Sequence, residues 1–236
     1  MREMNKAKRE LVVGVAFLAT FALWTAMVQL VDVRPVGQND TNVGFATLNT
    51  WFHGVTGVHM LLYVVTDWLG LVPVAVCLGF GVLGAVQLVR RRSLLRVDSD
   101  ILLLGLHFAL VAFAYLIFEM VPINYRPVPI DGVMEASYPS STTLLVLGVM
   151  PTLGFQVNRR CDGLVFRKAV WAFVVAFSVF MVAGRLVSGV HWLTDIVGSI
   201  LLAAGLLMLY RFAVCVVDAR RRNKDGVVVD GVLREA

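Results

Sequence analysis

Gly184-Arg185-Leu186-Val187-Ser188-Gly189-Val190-His191-Trp192-Leu193-Thr194-Asp195 sets an arginine, a histidine and a carboxylate between two apolar runs, 169–187 and 192–216. Each run approaches the ~20 residues that a helix needs to cross ~30 Å of hydrocarbon. The stretch therefore reads as a reactive turn joining two membrane-length helices. His191 and Asp195 stand four apart, so on a helix they share a face. Asp195 can then hold one imidazole nitrogen while the other points outward as a nucleophile. Arg185 offers a forked donor suited to phosphate oxygens. The plainer reading of these three residues alone is a satisfied network at a helix end.

The rest of the chain has the same apolar character. Hydrophobic residues make up 58% of the sequence and the mean hydropathy is +0.79, too apolar for an ordinary soluble domain. Six runs approach membrane length: Leu11 to Val31, Leu69 to Val89, Ile101 to Val121, Thr142 to Val157, Ala169 to Val187 and Trp192 to Val216. The fourth is short and carries Pro151, which predicts a tilt, a kink or an extension. The expected fold is an all-α integral membrane protein, a single six-transmembrane-helix bundle over residues 1–236.

Basic residues orient that bundle. Arg2, Lys6, Lys8 and Arg9 precede the first run, and Arg90, Arg91, Arg92 and Arg96 follow the second. Arg159, Arg160, Arg167 and Lys168 separate the fourth from the fifth, and Arg220, Arg221, Arg222 and Lys224 follow the last. The opposite loops carry only Arg34, Arg126 and Arg185. The positive-inside rule then puts both termini in the cytoplasm and His191 on the outer face, as in a plasma membrane protein. The sequence pI of about 9.4 arises from these flanks, which suit anionic lipid rather than nucleic acid. The basic start before an apolar run resembles a signal peptide, but the run is too long and lacks small residues for cleavage; an uncleaved first span is expected. Cys77, Cys161 and Cys215 form no Cys-x-x-Cys pair and read as small apolar fillers.

Between Asp32 and Asp67, the residues Trp51, Phe52, Val55, Val58 and Leu62 recur at helical spacing, which predicts a short helix at headgroup depth. Residues 217–236 read as a basic, flexible tail. In the expected topology the fourth and sixth helices both begin at the outer face. Their unpaired N–H groups and positive dipole ends meet there, which favours an anion. Ser140 and Ser141 open the fourth helix, His191 opens the sixth, and Arg126 and Arg185 approach from the side.

Two further segments complete a pattern: Glu119 followed by Tyr125-Arg126-Pro127, and Tyr138-Pro139-Ser140-Ser141-Thr142-Thr143. With Arg185, His191 and Asp195 they resemble the three signature segments of the type 2 phosphatidic acid phosphatase and haloperoxidase superfamily, across residues 101 to 215. The family pattern is Lys-x6-Arg-Pro, Pro-Ser-Gly-His and Ser-Arg-x5-His-x3-Asp. Here Glu119 stands at the lysine, Ser141 at the glycine, Thr142 at the first histidine and Gly184 at the leading serine.

The resemblance implies a lipid phosphatase of the membrane branch, with no cofactor and no metal. His191 would attack phosphorus, Asp195 would orient it, and Arg126, Arg185, Ser140 and Ser141 would hold the phosphate. The family's other histidine protonates the departing oxygen, which the hydroxyl of Thr142 cannot do near neutrality. Losing a general acid costs ~10²- to 10⁴-fold in rate. A phosphate leaving from a diphosphate needs that proton less than an alkoxide does, so lipid diphosphates, prenyl diphosphates among them, are the expected substrates. Glu119 is expected to pair with Arg126 or Arg185, and Glu119, His53 and His59 are the candidate replacement acids. His107 reads as a packed polar residue. Asn124, Tyr125 and Tyr138 read as interface anchors or supporting donors. The alternatives are a member that binds lipid phosphate without turnover, and a phosphotransferase.

Overall fold

A computed structural model of the chain describes the backbone of residues 2–235 and the side chains of residues 4–223. Eight α-helices follow in order among the described residues: α1 (Arg2–Leu30), α2 (Ala46–Thr56), α3 (Met60–Leu69), α4 (Leu71–Arg91), α5 (Ser99–Met120), α6 (Ser141–Arg160), α7 (Leu164–Val187) and α8 (Leu193–Glu235). No strand occurs among the described residues, and only isolated bridges such as Tyr125 with Ala136 pair the loops. Among the described residues, five stretches are long and apolar enough to cross a membrane: Met4–Leu30, Met60–Arg91, Ser99–Met120, Leu164–Val187 and Leu193–Asn223. An all-helical architecture follows from the bilayer, since a helix satisfies its own N–H and C=O groups where no water can.

The run expected as the fourth span forms α6, a 20-residue helix that runs unbroken through Pro151. It falls outside the five because its sequence is too polar, and the structure shows why that polarity is tolerated. Thr143, Thr152 and Gln156 are completely buried against neighbouring helices. Thr152 donates to the Val149 carbonyl at 2.7 Å, and Gln156 donates to the Tyr210 hydroxyl at 2.5 Å. Val146, Val149 and Met150 fill the rest of that face, with Val174 and Met181 of α7 in the same core. Thus α6 is the inner helix, lined by protein rather than lipid. His107 is buried beside it and bonds to the Gly148 carbonyl at 2.8 Å, the packed polar role expected of it.

Two placements differ from expectation. The second span begins nine residues earlier than Leu69, because α3 and α4 together form one apolar stretch, Met60–Arg91. The single interfacial helix expected through Leu62 is two helices. Gly57, at φ +67°, ends α2 after Thr56, so Leu62 belongs to α3. Trp51 and Val55 are exposed on α2.

At the end of the bundle away from His191, many of the basic residues are paired. Arg159 reaches Asp100 of α5 at 3.2 Å and Asp218 of α8 at 2.7 Å, and Arg160 reaches Asp100 at 2.9 Å. Arg211 of α8 holds the buried Glu10 of α1 at 2.8 Å. Residues 217–235, within the stretch 217–236 expected to form a tail, continue α8, and Asp218 and Ala219 already make structural contacts; Ala236 lies outside the described residues.

Candidate active site

The site is assembled where three chain segments meet. The loop between α5 and α6 folds back on itself through the Tyr125–Ala136 bridge, with Arg126 N–H donating to the Glu135 carbonyl at 3.1 Å and Ser137 N–H to the Asn124 carbonyl at 2.9 Å. This brings Arg126 and Ser137, eleven residues apart, to one place. The start of α6 is tied to the start of α8. Ser199 donates to the carbonyls of Ser140 at 3.0 Å and Asp195 at 2.9 Å, and Ser140 N–H points at the Asp195 carbonyl at 3.4 Å.

The third segment is the turn between α7 and α8. Gly189 has φ +72°, and a side chain there would lie 2.1 Å from the Gly57 carbonyl oxygen. Only glycine allows the α2–α3 junction to seat on the turn, where His59 N–H donates to the Ser188 carbonyl at 3.0 Å.

His191 is buried at this junction, and its partner is not the one the spacing predicts. Its Nδ1 lies 3.8 Å from Asp195 Oδ2, beyond hydrogen-bond reach, and 3.2 Å from the hydroxyl of Ser137. Ser137 in turn makes a short hydrogen bond to Asp195 Oδ2. A carboxylate only accepts, so Ser137 donates to Asp195 and its oxygen is left to accept from Nδ1–H of His191. That relay sets the tautomer and leaves the lone pair on Nε2, which has no partner among the described residues. Asp195 is held further by the Trp192 N–H at 2.9 Å and by Asn124 at 3.4 Å. Burial, reinforced by the positive Arg185 and Arg126, holds the imidazole well below its ordinary pKa, so His191 is neutral at pH 7. A neutral ring with a free Nε2 is a competent nucleophile.

The two arginines flank one aromatic ring, with the guanidinium carbons of Arg126 and Arg185 lying 5.7 and 4.9 Å from the centre of Tyr63. Arg126 pairs with Glu135 at 3.0 Å, and Arg185, only 1% exposed, reaches Asp67 at 3.5 Å. Nε and Nη1 of Arg126, Nε of Arg185 and the hydroxyl of Ser140 are buried without a partner among the described residues. Buried donors are ordinarily satisfied, so this group is built for an acceptor with several oxygens. The first-turn N–H groups of α6, which Ser140 precedes, point the same polarity at it.

Ser141 and Thr142 lie on the first turn of α6 and line an apolar cavity of about 500 Å³ between α4, α5 and α6, with Asp67 and Tyr115 at the same end. Phe108, Val111 and Leu145 form part of its apolar wall.

The proposed ion pair of Glu119 with Arg126 or Arg185 does not form. Glu119 is exposed at the end of α5, and the arginines take Glu135 and Asp67 instead, both nearer in space. It faces a small recess beside Ser141 and Pro139. His53 is bound to the Gly189 carbonyl at 3.1 Å with its ring against Trp192, and His59 bonds to the Thr56 carbonyl at 2.9 Å. Ser137, Asp67, Glu135 and Tyr63 join the candidate site, and the motifs alone do not single them out. Asp67 had a signal: it is the one acidic residue in the run Met60–Arg91.

Residues 107–221 match the model of the PAP2 superfamily, close to the 101–215 expected from the motifs. Among solved structures, the chain is similar to the first transmembrane PAP2 type phosphatidylglycerolphosphate phosphatase from Bacillus subtilis. The identity is 19% and the TM-score 0.54, over 84% of this chain and 94% of that one, so the likeness is one of fold. No curated protein matches the chain by sequence.

Proposed function

We propose, from the match of residues 107–221 to the PAP2 superfamily model, that the protein is an integral membrane lipid phosphatase that hydrolyses a lipid phosphate or diphosphate through a phosphohistidine. One observation carries the reading: a neutral, buried His191 whose Nδ1 is held by Ser137 and whose Nε2 is free, beside two buried arginines with uncommitted donors.

His191 Nε2 attacks phosphorus while Arg126, Arg185 and the α6 N-terminus hold the equatorial oxygens. As the P–N bond forms, the ring gains positive charge, and its Nδ1–H faces Ser137 and the Asp195 carboxylate, which stabilise it. The apolar cavity at Ser141 and Thr142 supports a lipid substrate, since it gives a hydrocarbon chain a place beside the site. In this reading six helices span the bilayer, α6 among them. Both termini are cytoplasmic and the site faces outward across the plasma membrane. The exposed Arg90, Arg92 and Arg96 meet anionic headgroups on the inner side.

Phosphate release from a panel of lipid mono- and diphosphates by the purified chain tests the reading. Turnover that vanishes in His191→Ala supports it. Binding of vanadate with no release from any substrate would favour the second reading, a lipid phosphate binder, for which Thr142 at the family's histidine position is the supporting observation.

A further inference from the structure

We infer that Asp67 is the proton donor to the departing oxygen, a role the family gives to the histidine that Thr142 replaces here. The inference rests on the phosphatase reading above. Two departures from the family pattern, Gly184 and Thr142, both lie against the segment that carries Asp67. A side chain at Gly184 would stand 2.6 Å from Cγ2 of Thr66, a fully buried residue whose hydroxyl is bound to the Leu62 and Tyr63 carbonyls at 2.8 and 3.0 Å. The β-branched Thr66 cannot turn aside, so glycine is what lets α3 close on α7. That contact sets Asp67, the next residue along α3, against Arg185, the next residue along α7.

On its other side, Asp67 shares the end of the apolar cavity with Ser141 and Thr142. The Asp67 carbonyl and Cγ2 of Thr142 lie 2.8 and 3.7 Å from the point where a Gly70 side chain would start. The carboxyl group thus pairs with Arg185, and Asp67 lines the same cavity as Thr142, the position where the general acid is missing. Its side chain is 56% exposed, so solvent can reload it with a proton. Glu119 lacks such a tie, and His53 and His59 are bound to backbone carbonyls.

The chemistry balances. In the free protein Asp67 is the partner of Arg185. A phosphoryl group arriving on Arg185 takes that guanidinium over and frees the Asp67 carboxyl group to face the leaving oxygen. His191 Nε2 forms the P–N bond as the P–O bond to the leaving oxygen breaks, and that oxygen takes the Asp67 proton to leave as an alcohol. Water then attacks phosphorus and gives its proton to the Asp67 carboxylate. The P–N bond breaks and phosphate departs, with His191 neutral again.

The test compares a short-chain phosphatidate, whose alkoxide needs a proton, with p-nitrophenyl phosphate, whose phenolate does not. Asp67→Asn in the full chain should lower kcat on phosphatidate by ~10²- to 10⁴-fold and on the aryl phosphate by far less. Vanadate should bind the variant at least as tightly as the parent, because Arg185 loses a competitor. Adding Thr142→His to Asp67→Asn should restore phosphatidate turnover. Equal losses on both substrates, or weaker vanadate binding, would make Asp67 a support for Arg185 and overturn the assignment while leaving the phosphatase reading intact. No turnover of either substrate by the parent would remove both.

Discussion

Ser137 Oγ lies 3.2 Å from Nδ1 of His191, closer than the Asp195 carboxylate that the four-residue spacing points to, at 3.8 Å. The serine therefore bridges His191 and Asp195, and in the proposed mechanism it is the relay between the nucleophile and its counter-charge. Ser137→Ala should lower kcat by ~10- to 100-fold, the loss of one hydrogen bond to a charged partner, worth about 1.5–3 kcal/mol. Vanadate affinity should stay within about threefold of the parent, since by the rule of ~1.4 kcal/mol per tenfold such a change is under 1 kcal/mol. A kcat unchanged in Ser137→Ala would mean that the imidazole is held directly by Asp195 in the working enzyme.

The arginines should divide the binding of phosphate between them. Arg185→Ala and Arg126→Ala each remove buried donors that lack a partner among the described residues. Each should weaken vanadate binding by ~10- to 100-fold, in line with a charge-assisted hydrogen bond of about 1.5–3 kcal/mol. His191→Ala should spare that binding. Calorimetric titration of the three variants with vanadate reads the contrast directly, and parent-like affinity in both arginine variants would place the anion elsewhere.

The pH profile carries a sign. Protonated His191 cannot attack phosphorus, and burial with the charges of Arg185 and Arg126 holds its pKa well below the ordinary value. The acid limb of kcat/KM for the parent therefore falls below about pH 6.5, the ordinary imidazole value. Removing a cation eases protonation, so Arg126→Ala should move that limb to higher pH, toward the ordinary value. A limb that stays in place would show that the arginine does not act on the ring.

Orientation is open to labelling. Val133, 58% exposed in the α5–α6 loop, lies on the side of His191, while the native Cys161 follows α6 at the opposite end. With an impermeant thiol reagent on intact cells, Val133→Cys should react, and Cys161 only after lysis. The reverse pattern would invert the bundle and put the site in the cytoplasm. Gly189 is a poor position for such a probe, since any side chain there meets the Gly57 carbonyl.

Five of the spans could be read from apolar length alone, because lipid-facing residues must be apolar. The helix α6 was harder to read for the opposite reason: it faces protein, and Thr143, Thr152 and Gln156 are buried there. Within the site, Arg126, Arg185, His191 and Asp195 were legible because their spacings within short segments suffice to identify them. Ser137, Asp67 and Glu135 were not, since their roles come from the contacts between segments. Thr66 against Gly184 is the clearest case. It is a packing contact across more than a hundred residues, and it decides which acid meets Arg185. The misplaced pairing of Glu119 has the same origin, as nearness along the chain to Arg126 does not hold in space.

The most direct measurement is a rapid acid-free quench of the parent during turnover of ³²P-labelled lipid phosphate, followed by peptide mapping. A phosphohistidine intermediate predicts label that is stable to base, lost in acid and confined to the peptide containing His191, absent in His191→Ala along with phosphate release. Steady turnover by His191→Ala, or label on any other residue of the parent, would contradict it.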